Sequence, residues 1–320
     1  MMQRCEICAA ALAVAGTVPG YQAPDTYTIL RCDVCNTMVS SPKRLETKVY
    51  EAIYAVPGGP PGYDRNFQYA KAVKRTKNPL AYLMSRQDAF WGVIQLLRTS
   101  GAKRILEAGS GLGYFTYALR RAGYDAVGID VSAEAVTRAR REFGDLFRAE
   151  SIESYAASSS EKFDAVVMVE VIEHLEEPIR VLESALRLLA PGGSIIVSTP
   201  NRSFFGYEAK WTTDLPPVHL WWFSEDSITA MARRLRCISF AADFTAYNRK
   251  YPILHTYESP LAPMFDSDGS IIRRENGLIS LARRFGVLHE AYWLASCAAG
   301  KLSRYRSARR PTLVAAIKAE

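Results

Sequence analysis

The sequence predicts an α/β fold: a doubly wound parallel sheet with a small cysteine-bound module ahead of it and a helical insertion before its last strand. Three observations carry this reading. From about residue 101, short apolar runs alternate with helix-length segments; the first run ends in a glycine-rich turn; and four of the six cysteines fall in two close pairs before residue 36. Strand–helix alternation means a parallel sheet covered by helices, because each parallel crossover needs a helix's worth of chain.

The N-terminal pairs are Cys5 with Cys8 and Cys32 with Cys35, 23 residues apart. Each CxxC knuckle places two thiolates on one tight turn, and two knuckles complete a tetrahedral shell. Residues 1–45 are therefore expected to form a zinc ribbon; a pair of disulfides or a redox CxxC are the other uses of this spacing. Residues 9–15 are a short apolar run that mimics a signal peptide, but Glu6 and two cysteines precede it and no long leucine-rich stretch follows. Four thiolates leave no open coordination position, so such a zinc is structural. Arg31 is the sole basic residue between the knuckles, which argues for a folding staple rather than a nucleic-acid reader. Residues 46–100 are expected to be a helical linker and cofactor lid, beginning with Tyr50, Tyr54 and Tyr63.

Residues 101–320 hold the main domain. Strands are predicted at 103–108 (KRILEA), 125–130 (DAVGID), 163–169 (FDAVVMV), 194–199 (SIIVST), 237–244 and 312–318. Helices are predicted at 114–122, 133–142 and 178–189, the last punctuated by Pro191-Gly192-Gly193. Ligands of such sheets bind at the carboxyl ends of the strands. The first strand end reads Glu107-Ala-Gly109-Ser-Gly111-Leu-Gly113. Glycines there let backbone N–H groups approach a ligand and open the next helix toward it. A nicotinamide-type GxGxxG would need glycine at 114, where Tyr114 stands. Asp130 ends the next strand, where a carboxylate can accept both hydroxyls of a ribose; capping the following helix is its simpler use.

The segments 105–115 (ILEAGSGLGYF), 128–130 (GID), 163–175 (FDAVVMVEVIEHL) and 188–201 (LLAPGGSIIVSTPN) resemble, in order and spacing, the motifs of class I S-adenosylmethionine-dependent methyltransferases. The likeness is closest to the group containing the ubiquinone-biosynthesis O-methyltransferases and many bacterial glycan and natural-product enzymes. It implies a Rossmann-like sheet and S-adenosylmethionine as cofactor. By that resemblance Glu107 faces the amino group of the methionine moiety, Gly109, Gly111 and Gly113 let the backbone pass the cofactor, and Asp130 holds the ribose. Glu150 lies where the family contacts adenine, although the usual Gly-Asp pair is absent. Val169 passes near the sulfonium. Arg86 stands where related enzymes pair the methionine carboxylate, or is a solvated helix arginine.

Methyl transfer to a hydroxyl requires alignment, exclusion of water and removal of a proton. Four histidines exist. His174, after the fourth strand, and His219, in the run Pro216 to Phe223, are the candidate bases; a structural role for His174 is the alternative. Asn201, Arg202, Trp221 and Trp222 are expected on the acceptor side, with core packing the commoner use of tryptophan. His255 and His289 have no motif around them.

The chain is 320 residues with a net charge of +7, and 48% of it is hydrophobic. That excludes disorder or a coiled coil as the main theme, and no run reaches the length a membrane-spanning helix needs. Residues 271–310 hold nine basic and two acidic residues, a local net of +7 equal to that of the whole chain. A nucleic-acid partner is therefore not expected, since the rest is neutral overall. The helical insertion, about 246–310, carries this charge beside an apolar stripe. It is read as a packed lid or homodimer helix, or as peripheral contact with an anionic membrane through 277–310, including Arg304, Arg306, Arg309 and Arg310. The expected protein is cytoplasmic and methylates a small molecule or glycan, a sugar hydroxyl on a lipid-linked glycan being the favoured acceptor. RNA or protein methylation guided by the ribbon is the alternative.

Overall fold

The computed structural model of the chain describes residues 3–21, 25–44, 64–204, 215–251 and 308–320, and positions 291, 294, 295 and 298. Three antiparallel strands come first, β1 (Ala13–Pro19), β2 (Thr26–Arg31) and β3 (Met38–Ser41). Helices α1 (Asp64–Val73), α2 (Pro79–Arg86) and α3 (Asp88–Ser100) lead into the main sheet. Its strands are β4 (Arg104–Ala108), β5 (Asp125–Asp130), β6 (Phe147–Ala149), β7 (Phe163–Val169) and β8 (Leu189–Pro200). They are joined by α4 (Tyr114–Arg121), α5 (Ala133–Phe143), α6 (Ile152–Ser158) and α7 (Pro178–Arg187). A two-residue strand β9 (Trp221–Trp222), helix α8 (Glu225–Arg234), β10 (Cys237–Ala241), helix α9 (Thr245–Lys250) and β11 (Thr312–Ala319) follow.

The main sheet runs β10-β11-β8-β7-β4-β5-β6. Strands β6, β5, β4, β7 and β8 are parallel, and β11 enters antiparallel between β8 and β10. This is the Rossmann-like order expected of the class, with its switch point between β4 and β7. Strand periodicity sorts the core into two layers. Leu106, Val166, Met168, Ile195, Val197, Leu313 and Ile317 face α6, α7 and α8. Their neighbours Ile105, Ala165, Val167, Ile196, Val314 and Ala316 face α1 to α4. Near-continuous burial of β7 and β8 explains why those strands read as unbroken apolar runs. The helix before Pro191-Gly192-Gly193 ends at Arg187, as that run leads one to expect, and the run itself lies in the first residues assigned to β8.

Residues 1–45 do not stand apart from this core. β3 pairs with β9, so the ribbon sheet is completed by residues 180 positions downstream (221 − 41). Cys5, Ile7, Cys32, Cys35 and Val39 share a single hydrophobic cluster with the main sheet. The second cysteine knuckle is tied to the start of α8: the Ser224 and Ser227 hydroxyls both donate to the Cys35 carbonyl, at 3.2 and 3.0 Å, and Thr37 donates to Ser227 at 2.8 Å.

The tyrosines at 50, 54 and 63, His255, His289, Arg304, Arg306 and almost all of the basic insertion lie outside the described residues. Its C-terminal end is described, and there Arg309 and Arg310 both have partners within the chain. Arg309 pairs with Glu225 at 2.7 Å. Arg310 is 9% exposed; its Nε donates to Asp88 at 2.7 Å, its NH1 to Asn248 and to the Tyr251 carbonyl, and its guanidinium lies 4.7 Å over the Tyr247 ring. It ties the start of β11 to α3 and α9. Among the described residues no helix is long and apolar enough to cross a membrane.

Candidate active site

The turn from β4 to α4 sets the geometry at the switch point. Gly109, Gly111 and Gly113 have φ of 80°, 47° and 78°, the left-handed region where glycine costs least. A Cβ on Gly113 would lie 2.5 Å from the Phe147 ring, so the packing of α4 against β6 requires its absence. At Gly111 a Cβ would meet nothing within 4 Å; that backbone borders open space. Asp130, at the end of β5, locks the loop: one carboxylate oxygen accepts from the Gly111 N–H at 2.7 Å and the other from the Ser132 N–H at 2.8 Å. Ser132, rather than Asp130, caps α5 through Ala135 N–H. Each carboxylate oxygen has a second lone pair, so a pair of ligand hydroxyls can be accepted here. Burial holds the Asp130 carboxyl above its ordinary range, partly offset by those two N–H groups.

Glu107 is 4% exposed inside the loop and accepts from the Thr116 hydroxyl on α4. Burial pushes its carboxyl up to about 8, against the lowering effect of Thr116; the Asp130 charge adds to the rise. Thr116 is a partner that nothing in the sequence pattern singled out. Val169 ends β7 at half burial, and Glu170 turns left-handed at φ 54° while its carboxylate accepts from Ser198 at 2.8 Å. Arg86 closes α2 with its Nε and NH1 buried and its guanidinium 5.0 Å from the Tyr82 ring; it is not a solvated helix arginine. Glu150 stands in the turn between β6 and α6, next to the capping Ser151.

The two candidate bases come together although 45 positions separate them. The His174 and His219 rings meet edge to face at 4.6 Å, with the carboxylate of the fully buried Glu173 beside them. His174 Nδ1 lies 2.6 Å from the Val218 carbonyl. Burial, and then the charge of Arg65, push His219 down to about 3, so it is a neutral imidazole and a weak proton acceptor at neutral pH.

The other acceptor-side expectations need correction. Trp221 is 1% exposed, donates from Nε1 to the Leu175 carbonyl at 2.7 Å and stacks on Phe223. With Trp222 it forms β9, so the pair belongs to the ribbon sheet and its core, not to an acceptor wall. Arg202 is buried, and its NH1 reaches the Asn36 carbonyl at 3.2 Å. Asn201 is buried too, its side-chain oxygen accepting from Ser203 N–H at 3.0 Å. Arg202 thus braces the end of β8 against the ribbon, and Asn201 closes the local turn that follows the strand.

The four cysteines of the ribbon converge. Their sulfurs lie within 4.8 Å of one another, with Cys5–Cys35 at 3.6 Å and Cys8–Cys32 at 3.4 Å. A disulfide needs about 2.05 Å; a tetrahedral ion with bonds of about 2.3 Å holds its sulfurs about 3.8 Å apart. The knuckles repeat each other: Cys5 N–H donates to Ala10 and Cys32 N–H to Thr37, and Ala9 and Asn36 both turn left-handed. All four are free thiols, and burial pushes Cys8 up to about 11. A divalent cation is what would let such a crowded set ionise together.

Sheet order, left-handed glycine loop and strand-end aspartate together define a class I S-adenosylmethionine-dependent methyltransferase domain. The sequence model of the family described as "Methyltransferase domain" matches residues 75–235, and the chain belongs to that family. It is 37% identical over 119 residues to the ubiquinone biosynthesis O-methyltransferase of Methylococcus capsulatus, covering 36% of this chain and 50% of that protein. With the same enzyme of Alkalilimnicola ehrlichii the identity is 35% over 116 residues, covering 35% and 47%. The chain thus spans about half the length of the curated relatives it matches. Among solved structures it is similar to the plantazolicin methyltransferase BpumL in complex with SAH, at 16% identity and TM-score 0.43, covering 85% of this chain and 96% of that one. The DhpI–SAH complex is similar at 19% identity and TM-score 0.40, covering 61% and 90%.

Proposed function

We propose that the protein binds S-adenosylmethionine at the β4–α4 loop and transfers its methyl group to a hydroxyl of a small molecule. The observation that carries this is the Asp130 carboxylate, fixed by two backbone N–H groups above a left-handed glycine loop that borders open space. When bound, the cofactor supplies a methyl group already activated on a sulfonium, so the chain need provide no nucleophile. Asp130 accepts the ribose hydroxyls. Glu107 faces the methionine amino group and Arg86 its carboxylate. The Glu173–His174–His219 cluster flanks the acceptor at the end of β7. The named relatives are O-methyltransferases of ubiquinone biosynthesis, which supports an oxygen acceptor; a sugar or lipid-linked glycan as its bearer has no support in those names.

Calorimetry with S-adenosylhomocysteine tests the reading and carries a pH signature. In the free protein Glu107 is protonated below about 8, whereas a ligand ammonium needs its carboxylate. Binding should therefore release a proton, and affinity should rise by up to about tenfold per pH unit below that value, then level off. The sign for folding is opposite. A carboxyl raised above its unfolded value contributes stability at low pH that is lost as pH rises through about 8. Tighter binding of NAD than of S-adenosylhomocysteine would overturn the assignment.

The four-cysteine cluster is proposed to hold one structural zinc. Elemental analysis of protein made without an affinity tag should find one equivalent per chain, lost in a Cys32→Ser Cys35→Ser variant. Metal-free protein with those thiols oxidised would return the disulfide reading.

A further inference from the structure

We propose that the protein is a homodimer joined through the outer edge of β10, which pairs antiparallel with the same strand of a second copy and makes the two main sheets one. The strand stands at the end of the order β10-β11-β8-β7-β4-β5-β6, and among the described residues no strand pairs with its outer side. Its residues, Cys-Ile-Ser-Phe-Ala, include no charge and no proline, and its register with β11 is unbroken. Ile238 and Phe240 are 47% and 42% exposed. They lie on the face that α3 covers over β11, and they are left uncovered at the rim of the sheet.

The other sheet edges carry the devices that keep strands from pairing with strangers. β6, at the far side of the main sheet, has three residues and exposes Arg148. β1, at the edge of the ribbon sheet, shifts register between Val14 and Gly16 and ends in Pro19. β9, at its other edge, has two residues. β10 has none of these protections, and an open apolar edge of this kind pairs with another strand.

Symmetry selects a second copy as that strand. The Ala242 N–H donates to the Val314 carbonyl at 2.8 Å. Main-chain groups alternate sides along an antiparallel strand, so Phe240 and Ile238 also turn theirs to β11, while Cys237, Ser239 and Ala241 turn theirs outward. A two-fold axis beside Ser239, perpendicular to the sheet, sets these three against the partner's Ala241, Ser239 and Cys237. Each facing pair exchanges two hydrogen bonds. The same axis puts Ile238 opposite the partner's Phe240 in the closely spaced positions between those bonds, with both side chains on one face. Each then covers the apolar surface that the other leaves exposed. Arg236 and Asp243, exposed at opposite ends of the strand, meet with opposite sign. Because the contact is its own complement and the remaining edges are blunted, assembly stops at two chains.

Sedimentation equilibrium of the full chain over a concentration series should find a species of twice 35.6 kDa. Ser239→Pro removes an N–H that faces outward and leaves the ladder to β11 intact, and Phe240→Lys sets a charge on the edge. Each change acts twice across the axis and should raise the dimer dissociation constant at least about tenfold. Cooperative urea unfolding reports that each variant is folded; Phe240→Lys, at an exposed position, serves if the proline variant does not fold. Ser239→Cys tests the register. Facing bonded residues have Cα atoms about 5.5 Å apart, inside the roughly 4.4–6.8 Å that a disulfide spans. Mild oxidation should therefore link this variant into a dimer that a reductant releases, and should leave the wild type unlinked. A wild type that stays monomeric at every concentration overturns the proposal and leaves the edge to another part of the chain. A dimer that survives both edge substitutions, or in which Ser239→Cys forms no cross-link, overturns it as well, because its interface lies elsewhere.

Discussion

Asp130→Ala should weaken S-adenosylhomocysteine binding by about 30- to 1,000-fold, on the order of 2–4 kcal/mol. Two losses combine. The ribose hydroxyls lose a charged acceptor, and hydrogen bonds to charged groups are the stronger kind. The loop also loses its lock, because the Gly111 and Ser132 N–H groups both end on this carboxylate. Asp130→Asn separates the two effects. An amide keeps one acceptor oxygen and offers N–H donors where the loop already presents donors, so it should bind nearly as poorly as alanine. Calorimetry reads both variants. Unchanged affinity in Asp130→Ala would remove the ribose from this position.

Arg310→Ala should destabilise the fold by about 3–5 kcal/mol, the usual result of removing one member of a buried ion pair. Side-chain exposures of 11% for Arg310 and 13% for Asp88 place the pair inside the protein. Asp88 sits at the first turn of α3 and also accepts from Thr312 at 2.8 Å, while Asn248 lies within α9 and Tyr251 caps its end. Truncation would leave the Asp88 charge buried with two neutral donors, the Thr312 hydroxyl and the Ala89 N–H. Arg310→Lys should rescue only in part, since an ammonium cannot reproduce the guanidinium fork or its contact with Tyr247. Urea unfolding with unchanged slope checks the size. A loss below about 1 kcal/mol would mean that the pair is solvated as surface pairs are.

Legibility in the sequence followed the range of the interactions. β4, β5, β7 and β11 were legible because burial on both faces writes an apolar run into consecutive residues. β6 has three residues, of which Phe147 alone is buried, so it leaves no run. The Gly-rich loop and Asp130 were legible because their chemistry is local: a turn, a strand end and a helix start lie within 25 residues. What escaped was pairing across distance. Two tryptophans beside a histidine look alike whether they line a pocket or complete a sheet, and only the partner strand β3 decides it. His174 and His219 read as two rival bases because nothing in the 44 intervening positions brings their rings together. Arg310 was counted by its sign, and its partner lies 222 positions away.

The sharing of β9 between ribbon and main domain also sets a timetable for synthesis. The edge of β3 is made about 180 residues before the strand that covers it. At roughly 5–20 residues per second, about 10–35 s pass with that edge open on the nascent chain. An open edge is a template for pairing with a neighbour on the same messenger. All four knuckle cysteines have emerged well before then, so an ion that closes them would hold the three-stranded ribbon in register through the interval. On this schedule such an ion would serve the growing polypeptide first, and the finished enzyme would inherit a joint that is already shut.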